Sequence, residues 1–448
     1  MRLRSLRGGV HPPENKNTAG CRPEKMPVPA EVHIPMSMHS GAPAKPVVSV
    51  GDEVKVGQLI GEADGFVSSP VHASVSGTVK SISDRDFVTG QKAVTITIAS
   101  DGKQAEYEGL KPPSITNLQE FLGAIRDSGA VGLGGAGYPT AAKLTIKEKD
   151  RDRLDYILIN GAECEPYITS DMRTMVDDTD YVFEGVQLLK KYLKPKNVII
   201  CIESNKREAA EKMKAVFAGT EGVEVRIMPT LYPQGERKVL VYNVTGRTVP
   251  EGGRLIDVGC LVLNCTTITV FARYAGTGIP LVQKTVTVSG TAVETPKNVI
   301  APIGTPIREL FDFCGGLKGG AKKILTGGPM MGIACPSADM PVVKTTNAVL
   351  AFPEKDAVTP KESVCIRCGR CVSKCPMRLM PLEIERAYRL KKPELLERYK
   401  VNMCVECGCC AYSCPAKRQL VQTMQLSNLM LREYKKAQKE KKEAKKDG

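Results

Sequence analysis

Apolar and polar residues alternate with a period of two from about residue 30 to residue 100. The runs AKPVVSVGDEVKVGQLIGEADG, SSPVHASVSGTVKSI and AVTITI are short and separated by Gly-Asp and Ser-Gly turns. That pattern predicts an all-β domain. The period changes near Thr116, where LQEFLGAIRDSG repeats its apolar positions every three to four residues, as an amphipathic helix does. Strand-like and helical runs then alternate: DYILING, the helix around FEGVQLLKKYL, NVIICIE, the helix REAAEKMKAVF, and VEVRIMP. Such alternation predicts an α/β domain around a parallel sheet. From residue 281 the segments KTVTVSG, VIAPIGTPIRELFDFCGG and AKKILTGG crowd strand, turn, helix and strand together, which suggests a β-grasp-like module. Residues 1 to about 30 are proline-rich and read as irregular. Near the other end, PLEIERAYRLKKPELLERYK reads as helical, and a helical tail of Lys and Glu closes the chain.

These shifts divide the chain into residues 1–100, 115–278, 280–350 and 355–425, with a basic tail over 426–448. Charge narrows the possible partners. The formal net charge is +14, and Leu431 to Gly448 carries eight Lys/Arg against four Asp/Glu. An anionic membrane face or an acidic partner suits that balance. Nucleic acid does not, because no aromatic-interleaved basic patch is present and the chain has no tryptophan. No run approaches the ~18 apolar residues of a membrane span. The longest, Leu255 to Phe271, is broken by Asp257, Asn264 and several threonines, and MRLRSLRGGVHPP lacks the apolar core of a secretory signal. The expectation is a soluble or peripheral protein. His11, His33, His39 and His72 all fall in the β region without a companion ligand motif and read as structural or exposed.

Sixteen cysteines carry the candidate chemistry. Cys365, Cys368, Cys371 and Cys375 precede Pro376, and Cys404, Cys407, Cys410 and Cys414 precede Pro415. Both runs read C-x2-C-x2-C-x3-C-P, the spacing by which ferredoxins hold 4Fe-4S clusters, the fourth cysteine of each run ligating the other cluster. Cys365, Cys368, Cys371 and Cys414 are therefore expected at one cluster, and Cys404, Cys407, Cys410 and Cys375 at the second. Zinc sites and disulfides are the alternatives, but structural zinc prefers two separated C-x2-C pairs. Cys409 is a spare. The other seven, Cys21, Cys164, Cys201, Cys260, Cys265, Cys314 and Cys335, read as reduced, buried and inert, in keeping with a reducing cytoplasm.

Upstream, Gly132-Leu-Gly-Gly-Ala-Gly-Tyr-Pro-Thr140 is a glycine-dense turn between helical patterns. Glycine lets backbone N–H groups approach a phosphate or flat ring closely. It is not the dinucleotide fingerprint, since no strand runs directly into it. Asn160-Gly-Ala-Glu163-Cys-Glu165-Pro166 then places amide and carboxylate groups at a strand's carboxyl end, where α/β sheets bind ligands. Tyr232-Pro-Gln-Gly235-Glu236-Arg237 and Val262-Leu-Asn264-Cys-Thr-Thr267 add polar groups near further strand ends. A helix cap is the bland alternative for Glu163. Four such sites upstream of two cluster motifs favour a flavin, which converts the two electrons of a hydride into the single electrons that clusters accept.

GLGGAGYPT, NGAECEP, YPQGE and LNCTT resemble the motifs GRGGAGFPT, NADExEP, YxxGEE and NNVET of the flavin- and NADH-binding subunit of respiratory complex I. The resemblance implies a Rossmann-like domain in which Gly132, Gly134, Gly135, Lys143, Asn160, Glu163, Tyr232, Gly235, Glu236, Asn264 and Thr267 line non-covalent FMN. It places Glu165, Tyr138 and Lys143 toward NADH, with Glu165, Glu163 and Lys143 as the catalytic set. Leu133 stands where that family has arginine, Ala162 where it has aspartate, and Arg237 where it has the second glutamate. Each departure loses or reverses a charge near the cofactor.

GDEVKVGQ with the later SGTV resembles a lipoyl-type hammerhead. It implies a barrel-sandwich hybrid without the carrier lysine, whose hairpin tip would fall near Phe66. Over residues 1 to about 425 the chain resembles the RnfC family of the Rnf electron-transport complex, carrying in order the barrel-sandwich domain, the flavin/NADH domain, the β-grasp (SLBB-like) module and a helical two-cluster ferredoxin domain. That likeness implies an ion-translocating ferredoxin:NAD(+) oxidoreductase subunit, peripheral on the cytoplasmic face of the cell membrane. It would pass electrons from NADH through FMN to two 4Fe-4S clusters. The implied partners are the other membrane subunits, NAD(H) and, indirectly, ferredoxin. Two other readings use the same motifs. A soluble cobalamin reductase shares the flavin and cluster parts but lacks this N-terminal β domain, and a non-enzymatic electron-relay adaptor needs vestigial flavin motifs.

Overall fold

The structure is a computed structural model that describes residues 8–87 and 90–444; the first seven residues and the last four of the basic tail lie outside it. It forms two compact units, one of Glu14–Pro229 with Arg254–Ala357, the other of Thr230–Gly253 and Val358–Gly448 with the segment up to Pro13.

In the first unit the predicted α/β alternation forms a four-stranded parallel sheet in the order Val223–Met228, Asn197–Glu203, Tyr156–Gly161, Cys260–Asn264. Its middle strands are apolar on both faces, with Ile157, Leu158, Ile159, Val198, Ile199 and Ile200 buried, because helices cover both sides. Two of those helices, Thr179–Leu193 and Cys265–Thr277, cross closely at Gly185, where an added Cβ would lie 2.9 Å from the carbonyl oxygen of Ile268. The register sets Asn160 beside Asn264 at the carboxyl ends of adjacent strands.

The β region forms a four-stranded sheet (Glu31–Pro35, Lys92–Ser100, Gly77–Asp86, Glu53–Val54) and a three-stranded one (Lys45–Pro46, Leu59–Glu62, Val71–His72). Their core holds Val32, Ile34, Ile60, Ile96 and Ile98, and it also takes in Val131, Leu133, Leu281 and Ile303. The glycine turn is therefore anchored in the β domain. His33, His39 and His72 are enclosed here, and burial lowers the pKa of each, His39 to about 4 and His72 to about 3, so both are neutral at pH 7. The third sheet is mixed and six-stranded, in the order Glu24–Lys25, Lys297–Pro302, Gln283–Ser289, Ala348–Phe352, Lys323–Thr326, Ile333–Ala334. Its first strand comes from the segment expected to be irregular, which pairs in parallel with Lys297–Pro302. Of the scattered cysteines, Cys201, Cys260, Cys265 and Cys314 are buried, while Cys21, Cys164 and Cys335 are only half-buried.

The second unit is helical. The segment between the cysteine runs is helical, as expected, and forms two helices, Pro381–Arg389 and Pro393–Arg398. Lys391 takes a left-handed φ of 51°, and Pro393 supplies no N–H to continue the first helix. The closing helix, Leu420–Ala444, begins well before the basic tail and packs through Leu420, Met424 and Leu431. No helix among the described residues is long and apolar enough to cross a membrane.

Candidate functional site

In the first unit the glycine turn is a closed loop. Gly132 N–H donates to the Tyr138 carbonyl (2.9 Å), and Gly137 N–H to the Gly132 carbonyl (2.9 Å). Gly134, Gly135 and Ala136 form its exposed tip. Gly135 has φ +108°, a conformation side chains disfavour, and the space a Cβ would enter is open; at Gly134 a Cβ would meet the Asn264 amide at 3.1 Å. Thr267 stands behind the loop, accepting from Leu133 N–H (3.0 Å) and donating to the Val131 carbonyl (3.2 Å). Thr267 thus supports the loop from a buried position rather than from its exposed face. Asn264 caps the helix Cys265–Thr277 through Oδ1 and donates from Nδ2 to Asp171 (2.6 Å). Thr266 Oγ1 also donates to Asp171 (2.6 Å). Lys143 reaches the Val262 carbonyl (3.1 Å), and Asn160 Oδ1 accepts from Ala162 N–H (3.2 Å).

The acidic turn beside it is held from an unexpected direction. Lys16, in the N-terminal segment, donates its ammonium to the carbonyls of Glu163 (2.9 Å), Glu165 (2.9 Å) and Ile168 (2.6 Å). Glu163 has φ +47°, which costs about 1–2 kcal/mol in a residue with a Cβ. Charge-assisted bonds of roughly 1.5–3 kcal/mol each can offset that. Glu163 Oε1 accepts from Asp171 N–H (2.6 Å), so its carboxylate does cap the helix Ser170–Asp177. Burial raises its pKa to about 7, opposed by the Lys16 charge. Glu165 accepts from the amides of Met330 (3.1 Å) and Met331 (2.8 Å), in the loop Gly327-Gly-Pro-Met-Met-Gly332. Burial raises its pKa to about 7 as well, against those two hydrogen bonds. A Cβ on Gly328 would lie 2.8 Å from the Glu165 Cβ and collide with its carboxylate, so a larger residue there would push Glu165 off the two amides. Lys16, Asp171 and the Met330–Met331 amides escaped sequence reasoning. Asp171 left a faint signal as the acidic residue of a helix's first turn.

Tyr232, Gly235 and Glu236 belong to the second unit. Glu236 caps the helix Arg237–Thr245, accepting from the amides of Lys238 (2.8 Å) and Val239 (2.9 Å). Tyr232, 2% exposed, donates its hydroxyl to the Cys407 carbonyl (2.7 Å). Cys375, Cys404, Cys407 and Cys410 line one cleft there, walled by Leu379, Pro381, Val421 and Met424. Cys365, Cys368, Cys371 and Cys414 line another, with Leu382, Pro415 and Leu420. Each cleft combines three cysteines of one run with the last cysteine of the other, and Cys409 also lines the first. The two runs fold alike: the left-handed residues Arg367, Gly369 and Arg378 recur as Glu406, Gly408 and Lys417, each 39 positions later. Backbone amides already point at sulfur, Leu379 N–H at Cys375 Sγ (3.3 Å) and Glu406 N–H at Cys404 Sγ (3.4 Å). Among the described residues no three His, Cys, Asp or Glu side chains gather as the ligands of a single metal ion do. The thiols surround a space instead. Four soft donors around an apolar pocket fit an iron–sulfur cluster.

Family models match in sequence order along the chain: the RnfC barrel sandwich hybrid domain over residues 4–103, the Nuo51 FMN-binding domain over 125–273, the SLBB domain over 285–334 and a 4Fe-4S dicluster domain over 357–415. The chain is 44% identical over 385 residues to a subunit of the proton-translocating ferredoxin:NAD(+) oxidoreductase complex of Clostridium ljungdahlii, covering 85% of this chain and 83% of that protein. It belongs to the RnfC family. Another relative, a subunit of the Na(+)-translocating ferredoxin:NAD(+) oxidoreductase complex of Acetobacterium woodii, is 38% identical over 384 residues, 85% of this chain and 86% of that protein. Among solved structures, an NAD+-reducing [NiFe]-hydrogenase aligns with 69% of this chain and 62% of its own at 18% identity and a TM-score of 0.46. As an RnfC-family chain, the protein has the multidomain α/β architecture expected, and its β-grasp-like module is the SLBB domain.

Proposed function

We propose that this chain is the NADH-oxidising, electron-transferring subunit of a membrane-bound, ion-translocating ferredoxin:NAD(+) oxidoreductase complex, seated on the cytoplasmic face. Ion movement falls to other subunits. The observation that carries the reading is the presence, in one RnfC-family chain, of the exposed glycine tip beside Asn264 together with two clefts that each join the first three cysteines of one run to the last of the other. FMN, when bound, supplies conversion between a hydride and single electrons. This chain's residues would hold and orient it: backbone of Gly132, Gly134 and Gly135 at the tip, with Lys143, Asn160, Asn264 and Glu163 around it. Leu133 is buried in the β-domain core, Ala162 is buried behind the acidic turn, and Arg237 is exposed at a helix start. Cys365, Cys368, Cys371 and Cys414 would hold one 4Fe-4S cluster, and Cys375, Cys404, Cys407 and Cys410 the other. The first is the exit, because Cys365 and Cys368 are exposed with Val364 (83%) and Ile366 (68%), whereas Cys407 is buried.

Anaerobically purified protein is expected to carry one FMN and about eight iron atoms. NADH should bleach the flavin and produce reduced-cluster signals in electron paramagnetic resonance. Protein without flavin, or clusters that NADH does not reduce, would refute the reading.

Glu165 gives a pH prediction. Its carboxyl, with a pKa near 7, is protonated below that pH and anionic above it. The same shift makes the folded state hold a proton the unfolded chain has released, so its share of stability is lost as pH rises from the usual carboxylate range through 7. Glu165→Gln should raise KM for NADH roughly tenfold at pH 8, the cost of one charged hydrogen bond. It should also flatten the step near pH 7 in the pH profile of KM, leaving flavin content unchanged. A profile that keeps its step in the variant would remove Glu165 from the nucleotide site.

Membrane attachment is expected to rest on protein contacts rather than on the tail. Lys436 to Gly448 carries six lysines against three acidic residues. At about 1 kcal/mol per charge near an anionic leaflet that is only about 3 kcal/mol, further reduced by salt. Deleting Lys436 to Gly448 spares Leu431 and Tyr434, which pack in the helical core, and should leave most of the protein on membranes holding its partner subunits. Release by this deletion alone at moderate salt would overturn that view. Deleting residues 1–100 as a docking test is less clean, because the β-domain core also holds Val131 and Leu133 and the glycine loop would be undermined with it.

A further inference from the structure

Lys284 is the second residue of the strand Gln283–Ser289 of the six-stranded sheet, and its side chain is buried, 5% exposed. Its ammonium donates to the carbonyl of Leu133 (3.0 Å), in the glycine loop itself. Burial lowers its pKa to about 8, and the nearby Asp171 and Cys265 oppose that shift. The group therefore still carries its proton at pH 7. Among the described residues its hydrogen-bond partner is that carbonyl rather than a carboxylate, so no contact ion pair cancels the charge. A buried cation without a contact counter-ion is expensive to keep and acts through its field on whatever lies nearest.

What lies nearest is the loop. Leu133 is 1% exposed and packs into the β-domain core, so position 133 offers no side chain to a ligand. The next two residues are the exposed glycines, whose backbone is all the loop presents. The related flavin motif GRGGAGFPT carries arginine where this chain has Leu133. The positive charge absent from that position returns from behind, on a lysine bonded to the carbonyl of the same residue.

We propose that Lys284, on the strand that leads into the SLBB domain, is the charge-bearing positioning residue of the flavin site: it fixes the glycine loop through Leu133 and makes the loop's exposed face favour an anionic, phosphate-bearing flavin. The proposal rests on the reading of that loop as the FMN site. It assigns that strand a part in cofactor binding and explains how the loop tolerates leucine.

The test uses the full-length protein with both clusters intact and its flavin removed. FMN affinity is measured by fluorescence quenching, and the bound flavin's midpoint potential by redox titration, for wild type, Lys284→Met and Lys284→Arg. Lys284→Met is expected to fold and to keep both clusters, but to bind FMN at least tenfold more weakly. If the charge also favours the reduced, more anionic flavin tenfold, the two-electron potential falls by about 30 mV. Lys284→Arg should recover affinity to within about threefold of wild type. The proposal is overturned if Lys284→Met keeps wild-type affinity and potential, if it fails to fold, or if a folded Lys284→Arg does no better than Lys284→Met. Wild-type protein that binds no FMN would instead refute the flavin reading beneath it.

Discussion

Cys375→Ala is expected to destroy the cluster nucleated by Cys404, Cys407 and Cys410 while leaving the one at its own run's first three cysteines. Cys375 lines the cleft of the later run, and Cys414 fills the reciprocal place in the earlier one. The short helix Arg370–Ser373 and the turn after it carry Cys375 away from Cys365, Cys368 and Cys371. Removing the fourth thiolate opens one iron corner of that cluster to solvent, and iron should fall by about half. The signal that remains in electron paramagnetic resonance should be that of the exposed cluster. Cys409→Ala is the matched control. Cys409 is buried and lines the same cleft as Cys375, Cys404, Cys407 and Cys410, but its thiol donates to the Tyr232 carbonyl (3.9 Å) and the motif spacing leaves it spare, so both clusters should persist. Loss of the Cys365 cluster in the Cys375 variant would sink the crossed assignment.

Gly135→Val should yield protein with its clusters but without flavin. Two effects act together. At φ +108° a β-branched residue is strained, so the tip must rearrange. The new side chain would also enter the open space in front of the loop, which has no protein atom within 4 Å of a Cβ and is where the proposed flavin would meet backbone. Flavin content of protein purified in excess FMN should fall below about a tenth of wild type, the size of effect expected when one or two kcal/mol of strain is added to lost contact. Because the strained residue is exposed, the melting temperature of the cluster unit should hardly move. A full complement of flavin in this variant would remove the tip from the site.

The local signals survived folding well. C-x2-C-x2-C-x3-C-P specifies its own loop geometry, since each run needs the same left-handed residues at Arg367 and Gly369, or at Glu406 and Gly408. The parallel strands were legible because runs such as NVIICIE are apolar on both faces, which only a covered sheet permits. Glycine density marked the loop, and strand-end polar groups marked Asn160 and Asn264. These are properties of neighbours in sequence, and periodicity and spacing read them directly. The helical segment expected between the cysteine runs is present, and it divides in two on equally local grounds. Lys391 and Pro393 break it, and apolar spacing alone weighs neither.

What stayed hidden depends on contacts between residues far apart in the chain. Lys16 reaches Glu163 across 147 positions, Lys284 reaches Leu133 across 151, and Glu165 meets the Met330 amide across 165. In sequence a lysine in an irregular leader and one at a strand's start look like solvated charges, because burial is not a property of the residue. The hydrogen bond from the Tyr232 hydroxyl to the Cys407 carbonyl, across 175 positions, left no trace in the sequence either. Thr267 bonds the backbone at Leu133 and Val131 from a buried position for the same reason: a motif names which residues cooperate, but packing decides which of them hold the others in place.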